Sequence, residues 1–270
     1  MPETTDDEFT FTIEDNEYII KKNDSSKIKQ HKNLIHGPSI VIGVSITAVC
    51  VLGIFFALNI VTSEDQQLIE TQISEKETKL EPTSVSYDVF FNNGSPILGS
   101  PDAPITLIEF GDYQCHFCNV YFQNTEHKIL ENFVVTGKVK IMFKDFTIIG
   151  PDSISAAHAA HCAGDQGKYW QYHNMLYNNW TGENNGWAAS ENLVMYANNI
   201  ELDLELFLQC ESSNRHQNII EQSNNDARTL GITGTPAFFI VDHKNGEVET
   251  VSGAQPYEVF ERLFNSKLEK

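Results

Sequence analysis

The chain has 270 residues, 41% of them hydrophobic, with a formal net charge of −19 and a pI near 4.7. That length allows one ordinary domain plus extensions, and the acidity argues against a nucleic-acid partner, whose phosphates call for basic patches. Five cysteines (Cys50, Cys115, Cys118, Cys162 and Cys210) are too few for a disulfide scaffold but allow one reactive pair and one structural bridge.

Residues 1–37 are polar and charged, acidic first and lysine-rich later, and read as a cytosolic tail with too little apolar surface to fold alone. Within it, Phe9-Thr10-Phe11-Thr12-Ile13 has the character of a segment able to pair with another. Residues 38–61 carry the apolar run SIVIGVSITAVCVLGIFFALNIV. As a helix of about 23 residues this run rises about 34 Å, enough for the hydrocarbon core of a bilayer. Lys21, Lys22, Lys27, Lys29 and Lys32 precede it, whereas Glu64 and Asp65 follow it. The positive-inside rule therefore predicts an N-terminus in the cytosol and everything after the run outside. The run is long for a cleaved secretory signal and lies behind a long polar head, so a single transmembrane signal anchor is expected. Cys50 falls inside it and is expected to be a packing residue. Residues 62–84, rich in Glu, Gln, Lys, Ser and Thr, read as a stalk or linker.

The folded domain is expected over 85–270. It should begin with a short strand pair, 87–91 and 96–98, around Asn93-Gly94. A strand at 105–110 leads into Cys115-His116-Phe117-Cys118 and a helix at 119–132, and 139–146 alternates as a second strand. A helical block is predicted over about 152–230, opening on the strong helix former Ala156-Ala157-His158-Ala159-Ala160 and closing near Leu230. Strand character returns at 237–241, Asn245-Gly246 offers a turn into a strand at 247–251, and Phe260, Leu263, Phe264 and Leu268 form one face of a closing helix. Strand, helix, strand, helical block, two strands and a helix make an α/β fold.

A strand, then Cys-x-x-Cys, then a helix reads as a redox site, because unpaired N–H groups at a helix start favour the thiolate of the first cysteine. Paired cysteines also bind zinc, so the motif needs support from elsewhere. Thr235-Pro236 gives that support. A proline directly before an apolar strand belongs at its start. Beside a reactive pair, a cis Thr235–Pro236 bond would turn the Thr235 backbone toward the sulfurs, where it could hydrogen-bond an extended peptide. His158 and His161 share a helix face and could suggest zinc together with Cys115 and Cys118, but are expected to be surface histidines, with no metal bound. Tyr169, Trp170, Tyr172 and Tyr177 are expected to be core. Asn93-Gly94-Ser95 and Asn179-Trp180-Thr181 fit the glycosylation pattern.

IEFGDYQCHFC, AAHCAGDQGKYWQYHNMLY, GITGTPAFFI and VSGAQPYEVFERLF, in this order, resemble the DsbA-like thiol-disulfide oxidoreductases of the thioredoxin superfamily. The resemblance covers about 87–270 and implies a thioredoxin fold with an inserted helical domain, here preceded by the single N-terminal transmembrane helix. It implies that Cys115 is the exchanging sulfur and Cys118 its buried partner, that Thr235-Pro236 with Phe117 meets the client, and that Glu109 beneath the site trades a proton with Cys118. His116 is expected to lower the Cys115 pKa, although it stands at the other dipeptide position from the histidine of the prototype oxidase, which carries Pro-His. Cys162 and Cys210 fall where many such relatives carry a non-catalytic disulfide; two separate thiols are the alternative. The implied activity is introduction of disulfides into exported cysteine-containing proteins, without a cofactor, with a membrane redox partner reoxidising the dithiol. A disulfide isomerase or reductase of the same fold, or a metal-binding thioredoxin-like module, are the competing readings.

Overall fold

The computed structural model describes residues 9–14, 17–22 and 87–269. The expected anchor at 38–61, Cys50 and the stalk lie outside the described residues, among which no helix is long and apolar enough to cross a membrane. Strands β1 (Phe9–Glu14) and β2 (Glu17–Lys22) form an antiparallel hairpin, with Phe9 opposite Lys22 and Glu14 opposite Glu17. The segment marked as able to pair thus finds its partner in the next segment.

In the C-terminal domain the first element departs from expectation. Asp88–Phe91 is a short helix, α1, rather than half of a strand pair, and Leu98 makes an isolated bridge to Ile141. Period two would send Val89 and Phe90 to opposite faces, yet both are buried. The carbonyls of Val89 and Asn92 both accept hydrogens from Nζ of Lys144, a fully buried lysine paired with Asp226 at 2.7 Å. A turn of helix brings those two oxygens to one cation, which an extended strand would not do.

The sheet has the order β4-β3-β5-β6. β3 (Ile105–Gly111) lies parallel to β4 (Val139–Asp145) and antiparallel to β5 (Ala237–Asp242), which pairs antiparallel with β6 (Val248–Ser252). Every residue of β3 is buried, so both sheet faces are covered. Ile105 and Leu107 join the core that holds Cys115 and Cys118, while Ile108 and Phe110 join a second core with Phe239 and Val241. By the same alternation Glu109 sits on the cysteine side.

Helix α2 (His116–Tyr121) begins at the cysteine motif itself, three residues before the predicted start. It continues through a π turn (Phe122–Glu126), α3 (His127–Ile129) and a second π turn (Leu130–Val134). The helical insertion comprises α4 (Pro151–Gly164), α5 (Tyr169–Asn178), α6 (Ser190–Asn199), α7 (Leu204–Ser213) and α8 (Gln217–Thr229). The Asp203 carboxylate caps α7 by accepting from the N–H groups of Glu205 and Leu206. A disulfide joins Cys162 on α4 to Cys210 on α7, as the resemblance implied. Helix α9 (Tyr257–Leu268) closes the fold with Phe260 and Phe264 fully buried.

His158 and His161 are not surface residues. Both are buried: His158 Nδ1 lies 2.9 Å from Glu211 Oε1 and His161 Nε2 lies 2.8 Å from Asp145 Oδ2. Alanines let neighbours approach α4 closely, so Ala156, Ala157, Ala159, Ala160 and Ala163 are buried on all sides. A helix face that looks like surface in an alanine-rich sequence is here an interface. Tyr169, Trp170, Tyr172 and Tyr177 are buried, as expected of core.

Candidate active site

Cys115 is the N-cap of α2, extended at φ −67° and ψ 124°, and Cys118 lies one turn inside. Both sulfurs are free thiols and both residues are buried, Cys118 completely. The segment before them is fixed from several sides. Asp112, buried at the end of β3, accepts hydrogens from the N–H groups of Gln114, Ile148 and Ile149. The insertion contributes the rest: Trp180 Nε1 donates to the Gln114 carbonyl at 2.9 Å, the Asn184 N–H donates to Gln114 Oε1, and Glu183 accepts the His116 N–H at 3.1 Å.

Across the cleft, Thr235–Pro236 is a cis peptide, as expected, and the Cys115 thiol donates to the Thr235 carbonyl at 3.4 Å. Phe117 projects from the motif with 59% of its surface exposed, next to the reactive sulfur. The His116 ring packs against Trp180 and Phe117.

The two thiols differ sharply in acidity. Hydrogen bonds lower the Cys115 pKa from 9.0 to about 6, first from the Cys118 thiol, then from Thr235 and the N–H groups of Cys118 and Phe117, against the opposing effect of burial. Burial pushes the Cys118 thiol well above its usual range, and its hydrogen bond to Cys115 and the nearby charges of Cys115 and Glu109 push the same way. Glu109 lies beneath the pair, 2% exposed. Burial holds its carboxyl well above the usual carboxylate range, with Glu126 and then Cys115 adding repulsion. The arrangement therefore has one thiolate ready at neutral pH, one thiol that resists ionising, and a buried acid close enough to feel both.

With Cys115 at about 6 against 9.0, thiolate stabilisation favours the reduced dithiol by about 1 kcal/mol at pH 7 once solvent screening is counted, roughly 20 mV. This preference is complete above pH 9, shrinks as pH falls and is lost as pH passes through about 6. Alkylation of the reduced protein should accordingly reach half its maximal rate near pH 6, at Cys115 alone, by peptide mapping. A midpoint near that of an ordinary thiol, about pH 8.5, would contradict the assignment.

Sequence reasoning placed Cys115, Cys118, Thr235, Pro236 and Glu109 together, and the structure brings them together. It missed the latch of Trp180, Glu183 and Asn184, and it missed Glu126, His173 and Tyr177 beneath the site. His173 had a visible signal, since Tyr169, His173 and Tyr177 repeat every four residues and so share one face of α5.

A dithiol at a helix N-terminus facing a cis-proline turn, on a four-stranded sheet carrying a helical insertion, defines a thiol-disulfide oxidoreductase of the thioredoxin kind. The thioredoxin family model matches residues 92–261, and the chain belongs to that family. Disulfide bond formation protein D of Bacillus subtilis is 27% identical over 152 residues, 55% of this chain and 68% of that protein. The Na(+)/H(+) antiporter NhaA 1 of Salinispora arenicola is 28% identical over 163 residues, 58% of this chain but only 24% of the antiporter. Among solved structures, alpha-DsbA1 of Wolbachia pipientis matches with a TM-score of 0.58 and 26% identity, covering 64% of this chain and 90% of that one.

Proposed function

We propose that this protein introduces disulfides into exported proteins by exchange through Cys115 and Cys118, working on the outer side of a membrane to which its N-terminal segment anchors it. The observation that carries the direction is the low pKa of Cys115, which favours the reduced dithiol and so favours giving the disulfide away. The name of the Bacillus subtilis relative, disulfide bond formation protein D, supports the same direction. Export and anchoring rest on the apolar run at 39–61 and the lysines before it.

In the proposed reaction a client thiolate attacks the Cys115 sulfur of the oxidised pair. The Cys115–Cys118 bond breaks and Cys118 leaves as a thiolate, which Glu109 protonates. A second client thiolate then attacks the client sulfur bound to Cys115 and expels Cys115 as a thiolate, the better leaving group because its pKa is low. The client has lost two electrons and gained a disulfide; the enzyme holds the dithiol. A membrane redox partner restores the disulfide.

During the mixed-disulfide stage, the Thr235 backbone aligns an extended client and Phe117 offers it an apolar contact, whereas the His116 ring packs on Trp180 and Phe117 and is not among the groups that lower the Cys115 pKa. Mixing oxidised protein with an excess of a reduced, unfolded dithiol protein tests the reading. One client disulfide should form for each Cys115–Cys118 disulfide consumed, counted by thiol titration. Absence of client oxidation would overturn the proposal.

A further inference from the structure

The loop between α5 and α6 sets a carboxylate against the start of the reactive helix. Glu183 Oε1 accepts the His116 N–H at 3.1 Å, and that nitrogen is bonded to the carbonyl carbon of Cys115. Glu183 is exposed. The lysines and arginines that form ion pairs do so elsewhere: Lys144 with Asp226, Arg215 with Asp165 and Lys267 with Glu249. Among the described residues, the Glu183 charge therefore has no cation paired with it.

The loop is held firmly in place. The Asn184 N–H donates to Oε1 of the fully buried Gln114 at 2.7 Å, and Gln114 Nε2 donates to Asn184 Oδ1 at 3.4 Å and to Ser153 Oγ at 3.2 Å. Trp180 Nε1 adds its bond to the Gln114 carbonyl, and Asn185 Nδ2 closes the loop on Thr181 Oγ1 at 3.1 Å. A Cβ on Gly150 would collide with Asn184 Oδ1, so glycine there lets the loop seat. The other acids near the reactive pair, Asp112 and Glu109, are buried. A client joined to Cys115 thus meets the Thr235 backbone, 3.4 Å from the sulfur at its carbonyl, and an accessible carboxylate one peptide bond along from the reactive residue.

We infer that Glu183 is a specificity-determining residue: its unpaired charge selects clients that carry lysine or arginine beside the reacting cysteine and disfavours those that carry aspartate or glutamate there. This selectivity rests on the exchange reading given above and names the class of client for that same site. Successive residues of an extended client are about 3.3 Å apart, so the neighbours of its cysteine pass within reach of the rim. A basic side chain there finds a counter-charge, and an acidic one meets like charge. The exchange step itself is unaltered: the client thiolate attacks Cys115, the Cys115–Cys118 bond breaks and Cys118 takes the electron pair. The net charge of −19 attracts basic clients from a distance, whereas Glu183 adds a preference that depends on position within the client.

The test uses two reduced peptides identical except that the single cysteine is flanked by lysines in one and by glutamates in the other. Each is mixed with the oxidised protein, and the initial loss of the Cys115–Cys118 disulfide is measured. Dividing each rate by that of the same protein with dithiothreitol, which is uncharged, cancels changes in Cys115 itself. The ratio of lysine-peptide to glutamate-peptide rates should fall about threefold in Glu183→Gln, which keeps an oxygen for the His116 N–H but loses the charge. It should fall further in Glu183→Lys, and about 0.5 M salt should bring the wild-type ratio close to that of Glu183→Gln. Moving the charges several residues from the cysteine should make the ratio the same in wild type and Glu183→Gln. A role confined to holding the loop would slow both peptides alike. A ratio within about 1.5-fold of wild type in both Glu183→Gln and Glu183→Lys would overturn the inference while leaving exchange intact. A wild-type disulfide that exchanges with neither the peptides nor dithiothreitol would overturn the exchange reading, and the client preference with it.

Discussion

Cys115→Ser abolishes client oxidation, with a loss of at least about a thousandfold, or about 4 kcal/mol of barrier. No other described sulfur can substitute. Cys118 is fully buried with its thiol pushed well above the usual range, and Cys162 and Cys210 are bonded to each other. Serine at the helix N-cap keeps the local fold, since it is a favoured capping residue. A near-normal melting temperature with no exchange is therefore the expected pair of results, read from the same client-oxidation assay. Retained activity would mean that the chemistry lies elsewhere. Cys118→Ser should differ in kind: the client attaches to Cys115 and the covalent complex accumulates, visible by non-reducing electrophoresis.

Removing the Cys162–Cys210 bridge by a double alanine substitution gives the second large effect, this time on stability. The two cysteines are 48 positions apart in the chain. In the chain-entropy account a loop of that length contributes about 4 kcal/mol by restricting the unfolded state. For a domain of this size, that corresponds to a fall in melting temperature of about 8–16 °C. Exchange at Cys115 should stay within about twofold of wild type at temperatures where the variant is folded, because the bridge joins α4 to α7 and touches neither thiol of the active pair. An unchanged melting temperature would show that the bridge contributes nothing to stability. A collapse of exchange in the folded variant would show that it acts on the active pair.

The parts of the site that were legible in the sequence share one property: their chemistry is written into local order. Cys-x-x-Cys after a strand, and proline before another, each specify their own surroundings, and the register of β3 against β5 sets Glu109 opposite Phe238. Alternation on β3 was enough to send Glu109 to the cysteine side. Glu126 was not legible because a period of 3.6 residues places it ~80° around the helix from Cys118, and only the π turn brings it back. Nor was α1, whose conformation depends on a lysine more than fifty positions away that needs two carbonyl partners. The histidines of α4 were misread for a related reason. Their partners, Glu211 and Asp145, come from α7 and β4, and nothing in an alanine-rich helix announces which faces those elements will cover.

The direction of exchange depends most on the Cys115 thiolate, which stabilises the reduced pair. Equilibration of the Cys115–Cys118 couple against glutathione buffers, with the redox state read by alkylation and mass, measures that directly. Cys115 at about 6 lies between the reactive thiol of thioredoxin, near 7, and the far more acidic one of DsbA, near 3.5. The couple should accordingly be more oxidising than about −270 mV, the thioredoxin value, and less so than about −120 mV, the DsbA value. A potential at or below about −270 mV would make the pair a reductant and contradict the account.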